Sequence, residues 1–185
     1  MPIIYLSPST QENNLYVNGG SEEEWMNRLA DAMVPYLDAS GIQYMRNTPD
    51  MTAASSIRAS NAGNYDLHLA LHSNASAPAN YGQTRGIIVF YYPTSARGRR
   101  AAEIMADNLK AIYPLPNNVR AQSTTSIGEV RQPRAPSVFL ELGYHDNPDD
   151  AAWVKGNLDA IARNLVLSLT EYFHIPFLYP QAPRQ

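Results

Sequence analysis

The stretch Asp66 to Ser76, DLHLALHSNAS, constrains the fold of this chain more than any other. Side chains alternate along a strand, so Leu67, Leu69 and Leu71 share one face while His68, Ala70 and His72 share the other. Both faces can be covered, which suits an interior strand of a parallel sheet packed by helices on either side. His72 stands where the apolar run stops, followed by Ser73 and Asn74. Ligands of open α/β sheets bind beyond the carboxyl ends of the strands. His72 is therefore a candidate metal-binding or catalytic residue, with a hydrogen-bonded structural histidine as the alternative. His68 is not expected to join it on one ion, because four residues of strand span about 13 Å.

A second run has the same form. In SVFLELGYHDNPDDAAW, Ser137 to Trp153, an apolar strand is interrupted near its end by Glu141. A lone buried carboxylate is costly unless it is paired, protonated or close to a cation. Arg131, Arg134 or a helix N-terminus could supply the partner. Two strands that each deliver a titratable group to the carboxyl end of one sheet also describe a shared site.

The 185 residues suit one domain, large enough to bury roughly 70% of its unfolded surface. With 44% hydrophobic and 17% charged residues, the composition is that of an ordinary globular domain. Net charge is -3. The one basic cluster, Ala96 to Arg100, reads as the solvated start of a helix, so nucleic acid is not an expected partner. No apolar stretch approaches the roughly 20 residues of a membrane span. Cysteine is absent, which excludes disulfides and thiolate metal sites. The opening MPIIYLSPS lacks the basic and long apolar regions of a signal peptide.

Taken in order, Ile3 to Leu6 reads as a strand, followed by a long polar loop, TQENNLYVNGG, of the kind that carries function. A helix is predicted from Ser21, with Glu24 completing a capping box and a stripe of Met26, Leu29, Ala30, Met33 and Leu37. Glu22 and Glu23 both flank that stripe, and the helical wheel does not choose between them. Further elements are a strand over Ile42 to Arg46, a helix over Thr52 to Asn61, a strand over Gly86 to Pro93 and a helix over Ser95 to Tyr113. Pro114 to Pro136, with four prolines, reads as a loop region holding one short strand. One long helix is expected over Asp149 to Phe173. The domain is expected to cover residues 1–175, with an irregular proline-rich tail at 176–185. This order predicts an α/β three-layer sandwich, a mostly parallel sheet flanked by helices on both faces.

These pieces together resemble the zinc-dependent N-acetylmuramoyl-L-alanine amidases of the amidase-3 type, which cut bacterial peptidoglycan. EEWMN (Glu23 to Asn27), DLHLALHSNA and FLELGY are similar to that family's motifs in order and rough spacing, over nearly the whole chain. The resemblance implies Glu23 and His72 as metal ligands, Glu141 as the catalytic glutamate, zinc as cofactor, and peptidoglycan or muropeptide as partner. Asn74 would orient substrate or stand as a turn residue. A monomer acting on the cell wall is expected.

One motif departs from the family. Its first metal ligand is a histidine in a loop after the first strand, and the corresponding LSPSTQENN has none. Gln11, Glu12, Asn13 or His145 could fill the gap, with Gln11 and Asn13 favoured, although amide oxygens bind zinc less well than imidazole. Three readings follow: an active metal amidase, a degenerate amidase fold that binds muropeptide or a partner without turnover, and a related metallopeptidase on a similar sheet.

Overall fold

The structure, a computed structural model, describes residues 1–181; positions 182–185 of the expected tail lie outside the described residues. Six strands form one sheet: β1 (Ile3–Pro8), β2 (Gln43–Arg46), β3 (Leu67–Asn74), β4 (Ile87–Tyr91), β5 (Val119–Ser123) and β6 (Ser137–Tyr144). Their spatial order is β2-β1-β3-β6-β4-β5. All pairings are parallel except β4 with β6, which is antiparallel. The sheet is thus mostly parallel, as expected. Strands β3 and β6 lie at its centre, which explains why both are apolar almost throughout.

The helices are α1 (Glu22–Ala39), α2 (Ala53–Ala62), α3 (Ala96–Lys110), α4 (Gly128–Arg131), α5 (Pro148–Gly156) and α6 (Leu158–Phe173). Helix α6 packs against both α1 and α3 over one face of the sheet. Under them lies the main core, which takes Leu67, Leu69 and Leu71 from β3 and Val138, Leu140 and Leu142 from β6. Among the described residues, the helices on the other face are the short α2 and α4. That face has a small apolar cluster of Ala70, Val130 and Phe139. His68 and His72 are buried on this thin side, because strand alternation puts them opposite the leucines.

Three expectations change. Asn157, at φ -129°, divides the helix expected over Asp149 to Phe173 into α5 and α6. Ser21 Oγ accepts from Glu24 N at 3.1 Å, but Glu24 turns its carboxylate to Arg28 at 2.7 Å, so the cap is one-sided. The reciprocal box forms instead on α2, between Thr52 and Ser55. The region from Pro114 to Pro136 contains the expected strand, β5, and also the single turn of α4.

At the carboxyl end of β6 the chain bends sharply. Gly143 adopts φ +72°, a conformation that favours glycine, and an added Cβ would meet Asp150 at 3.3 Å. The β3–β6 register shifts between His72 and Asn74 at the same place. Fully buried Asp150 fixes the bend, accepting from Tyr144 N (3.0 Å), Gly86 N (3.1 Å), Tyr113 Oη (2.6 Å) and Arg85 Nε (3.0 Å). An irregularity of this kind at a strand end re-aims nearby side chains.

Candidate functional site

His72 and Glu141 are register partners on β3 and β6. Partners in a parallel ladder project from the same face, with backbones about 4.8 Å apart, so both side chains reach the carboxyl edge of the sheet together. The His72 ring stacks on Phe139 with centroids 4.1 Å apart. Both of its nitrogens face carboxylates: Nδ1 donates to Glu22 Oε1 at 2.7 Å and Nε2 to Glu129 Oε2 at 3.2 Å. Burial opposes a charge on this ring, but the hydrogen bonds to Glu129 and Glu22 outweigh it and raise the imidazolium to about 9.

Glu22 opens the first turn of α1, where the positive helix end favours a carboxylate. It is buried, and its second oxygen accepts from Asn14 Nδ2 at 2.7 Å. Burial works to raise its carboxyl, yet the bonds from His72 and Asn14 hold it below the usual value. Glu23, the ligand implied by the resemblance, occupies the next position, about 100° round the helix. It is Glu22, not Glu23, that the structure brings to His72. The wheel could not separate these residues, because both flank the apolar stripe; the decisive fact is how the helix start meets β3.

Glu129 lies on α4, in a stretch whose sequence shows no periodic signal, and was not anticipated as a site residue. Its Oε1 accepts from Ser7 Oγ at 2.5 Å and lies 3.2 Å from His68 Nε2, while its Oε2 faces His72. Burial acts to raise this carboxyl too, but His68 and His72 together lower it to about 2. On the other side of its ring, His68 Nδ1 meets Ser60 Oγ at 2.9 Å. The two histidines are thus joined through one carboxylate.

Glu141 contrasts with both. Its Oε2 is buried without a hydrogen-bond partner. Burial, with the charge of Glu22, pushes its carboxyl up to about 7, against the opposing effect of His72. Neither Arg131 nor Arg134 pairs with it; both line a cavity at Ser137, the opposite end of β6.

The loop after β1 closes one side. Gln11 Nε2 lies 3.4 Å from His72 Nδ1, and Gln11 Oε1 accepts from Asn14 at 2.8 Å. Asn13 is exposed and lines an outer cavity of about 390 Å³ with Glu12 and Asp50. That cavity shares Thr10, Gln11 and Met51 with an inner one of about 210 Å³ that reaches His72 and Glu129. Asn74 uses Oδ1 on the backbone N of Ala75 at 2.9 Å, as a turn residue does. His145, considered as a third ligand, instead meets Ser73 Oγ at 3.0 Å and packs against Tyr16.

Among the described residues, no three His, Cys, Asp or Glu side chains are placed to share one ion. The donors nevertheless suit a divalent cation. Three glutamates, Glu22, Glu129 and Glu141, surround His72, and one of them keeps an unpartnered buried oxygen. A divalent cation offsets such a charge excess, and its binding displaces the proton from an imidazole nitrogen. Glu22 Oε1 and His72 Nδ1 meet on one side, with the Gln11 carboxamide beside them, its nitrogen toward His72 and its oxygen toward Asn14.

The comparisons agree with this architecture. A solved structure of the CwlD amidase from Clostridioides difficile in complex with the GerS lipoprotein matches with a TM-score of 0.80 at 14% identity, covering 94% of this chain and 99% of that one. The catalytic domain of the CD27L endolysin, described as targeting Clostridia Difficile, matches with 0.76 at 20% identity, covering 92% and 98%. At such identities the likeness establishes the fold. A curated relative, the probable cell wall amidase LytH of Staphylococcus aureus, is 30% identical over 114 residues, 58% of this chain. The match spans only 35% of that relative's length. A family model described as N-acetylmuramoyl-L-alanine amidase matches residues 9–171. On that match the chain belongs to the N-acetylmuramoyl-L-alanine amidase family.

Proposed function

We propose that the chain hydrolyses the amide bond between the lactyl group of N-acetylmuramic acid and the L-alanine of the peptidoglycan stem peptide, with zinc as its cofactor. The observation that carries this reading is Glu141: a carboxylate with one buried, unpartnered oxygen, raised to about 7 and set in register with His72. A general base is most effective when its pKa lies near the working pH.

Glu22 and His72 would hold the metal through Oε1 and Nδ1, with the Gln11 carboxamide as third donor. When bound, zinc supplies a water pKa lowered to about 7 and a polarised carbonyl. Glu141 accepts the proton of the attacking water as the carbon–oxygen bond forms. It then returns that proton to the nitrogen as the carbon–nitrogen bond breaks, and the second proton of the water passes from the new carboxyl to the amine, giving a lactyl carboxylate and an L-alanine ammonium group. Glu129 keeps His72 oriented by occupying Nε2, which leaves Nδ1 toward Glu22; carboxylate partners of ligating histidines commonly have this role. The inner and outer cavities share Thr10, Gln11 and Met51 and lead to His72, the side from which a substrate would approach. Action on the cell wall follows from the substrate.

The test is digestion of purified peptidoglycan with the zinc-loaded chain, measuring new N-terminal alanine. Release of alanine amine without reducing sugar is the expected result. Reducing ends without free alanine, or no product at all, would overturn the reading.

A further inference from the structure

Away from the proposed catalytic site, a cavity of about 400 Å³ opens between the start of α3 and the segment joining α4 to β6. Tyr92, Arg97, Val130, Arg131, Arg134 and Pro136 line it. Ser137, the first residue of β6, forms part of its floor. It lies four residues of strand from Glu141, about 13 Å away, so the cavity stands at the opposite end of the sheet from the catalytic groups. A smaller cavity of about 200 Å³ adjoins it and shares Arg97 and Arg134, with Tyr65 on its wall.

Three arginines gather at this cavity in a chain of net charge -3. Arg28, Arg46, Arg85 and Arg99 each pair with a carboxylate. Among the described residues, Arg97, Arg131 and Arg134 have no carboxylate within ion-pair distance, though all three line one cavity. Asp66 lines the adjoining cavity, where its Oδ2 accepts from Ile3 N at 2.8 Å. Like charges gathered with little counter-charge repel one another, and an anion bound among them removes that cost. Guanidinium groups pair bidentately with carboxylates and phosphates. A carboxylate brings one negative charge to three cations, whereas a phosphomonoester brings about -1.5 to -2 near pH 7. The cavity volume falls within the range of small-molecule sites. Pro133 and Tyr92, both half-buried, add an apolar wall beside the cations, which a bare phosphate would leave uncovered.

We propose that this arginine-lined cavity is a second binding site, specific for an organic phosphate whose substituent is flat or apolar. The phosphate lies among Arg97, Arg131 and Arg134, and the substituent covers Tyr92 and the proline wall. The site is independent of the amide-hydrolysis reading.

Calorimetric titration of the full chain with phenyl phosphate, inorganic phosphate and benzoate tests it. Phenyl phosphate is expected to bind about tenfold or more tightly than either of the others, since benzoate carries less charge and inorganic phosphate lacks the ring. Arg134→Ala and the double variant Arg97→Ala/Arg131→Ala should each weaken phenyl phosphate by about tenfold or more, with melting temperatures and peptidoglycan digestion unchanged. Absence of binding at millimolar phenyl phosphate, equal binding of benzoate or inorganic phosphate, or binding indifferent to both sets of substitutions would overturn the proposal.

Discussion

Glu22 Oε1 and His72 Nδ1 stand 2.7 Å apart, joining the start of α1 to the end of β3 across fifty residues of sequence. The contact makes Glu22 the glutamate through which α1 acts on the site. Glu22→Gln is expected to weaken zinc binding and lower amide hydrolysis by more than about 100-fold, beyond the loss typical of a supporting partner. Glu23→Gln should change either by less than about threefold, within the ordinary range for a surface substitution. Calorimetry with zinc and a peptidoglycan release assay separate the two residues. Equal losses in both variants would count against the assignment of Glu22.

The central strands were legible because their pattern is unambiguous: leucines alternate with His68, Ala70 and His72, and polar residues end the run. Glu141 could be found on the same logic. Glu22 could not be told from Glu23, since neighbours in a first helical turn differ only in direction, and that direction depends on docking. Glu129 left no trace, because a single turn of helix in a proline-rich stretch has no period to detect. The reversed direction of β4 is likewise absent from GIIVFYYP, whose apolar run would suit either pairing. Asn157 interrupts an apolar stripe that continues through it, so the break between α5 and α6 is not visible in the pattern.

Glu129→Gln removes one charge from a buried network that also holds His68 and His72. Breaking a buried ion pair costs about 3–5 kcal/mol, and a loss of that order is expected near neutral pH. The carboxyl is lowered from 4.5 to about 2 in the folded chain. Its stabilising effect is therefore fully present above pH 4.5 and fades as pH falls through about 2. Chemical denaturation of both proteins as a function of pH should show their difference shrinking on acidification. A difference that stays constant to low pH would contradict the ion-pair account.

In the proposed metal site the third donor, Gln11, is the weakest. Zinc should raise the melting temperature of dialysed protein in a concentration-dependent manner by mass action. Gln11→His should tighten zinc binding, since Gln11 Nε2 already lies 3.4 Å from His72 Nδ1 and imidazole is the better ligand. Asn13→His should have little effect, because that side chain faces the outer cavity. Zinc titration of the two variants beside the parent checks the ordering, and a reversed order would move the third donor from Gln11 to Asn13.

Glu141 gives the clearest prediction, because its carboxyl is displaced in the direction opposite to Glu22 and Glu129. The folded chain raises it from 4.5 to about 7. A carboxyl shifted upward favours the folded state most when protonated. Its contribution is complete below pH 4.5 and is lost as pH rises through about 7. Glutamine has the shape of the protonated acid and does not titrate. In metal-free protein, Glu141→Gln should therefore match the parent in stability at pH 4 and exceed it above pH 7, by about 3 kcal/mol. The same variant should lose amide hydrolysis by roughly 10²–10⁴-fold, the usual contribution of a general base. Denaturant unfolding at several pH values, in chelator, measures the first effect and peptidoglycan digestion the second. Higher stability above pH 7 with activity gone identifies a carboxylate kept ionisable at an energetic cost for catalysis. A variant that is less stable at every pH, or that still digests peptidoglycan at the parent's rate, would remove Glu141 from the mechanism.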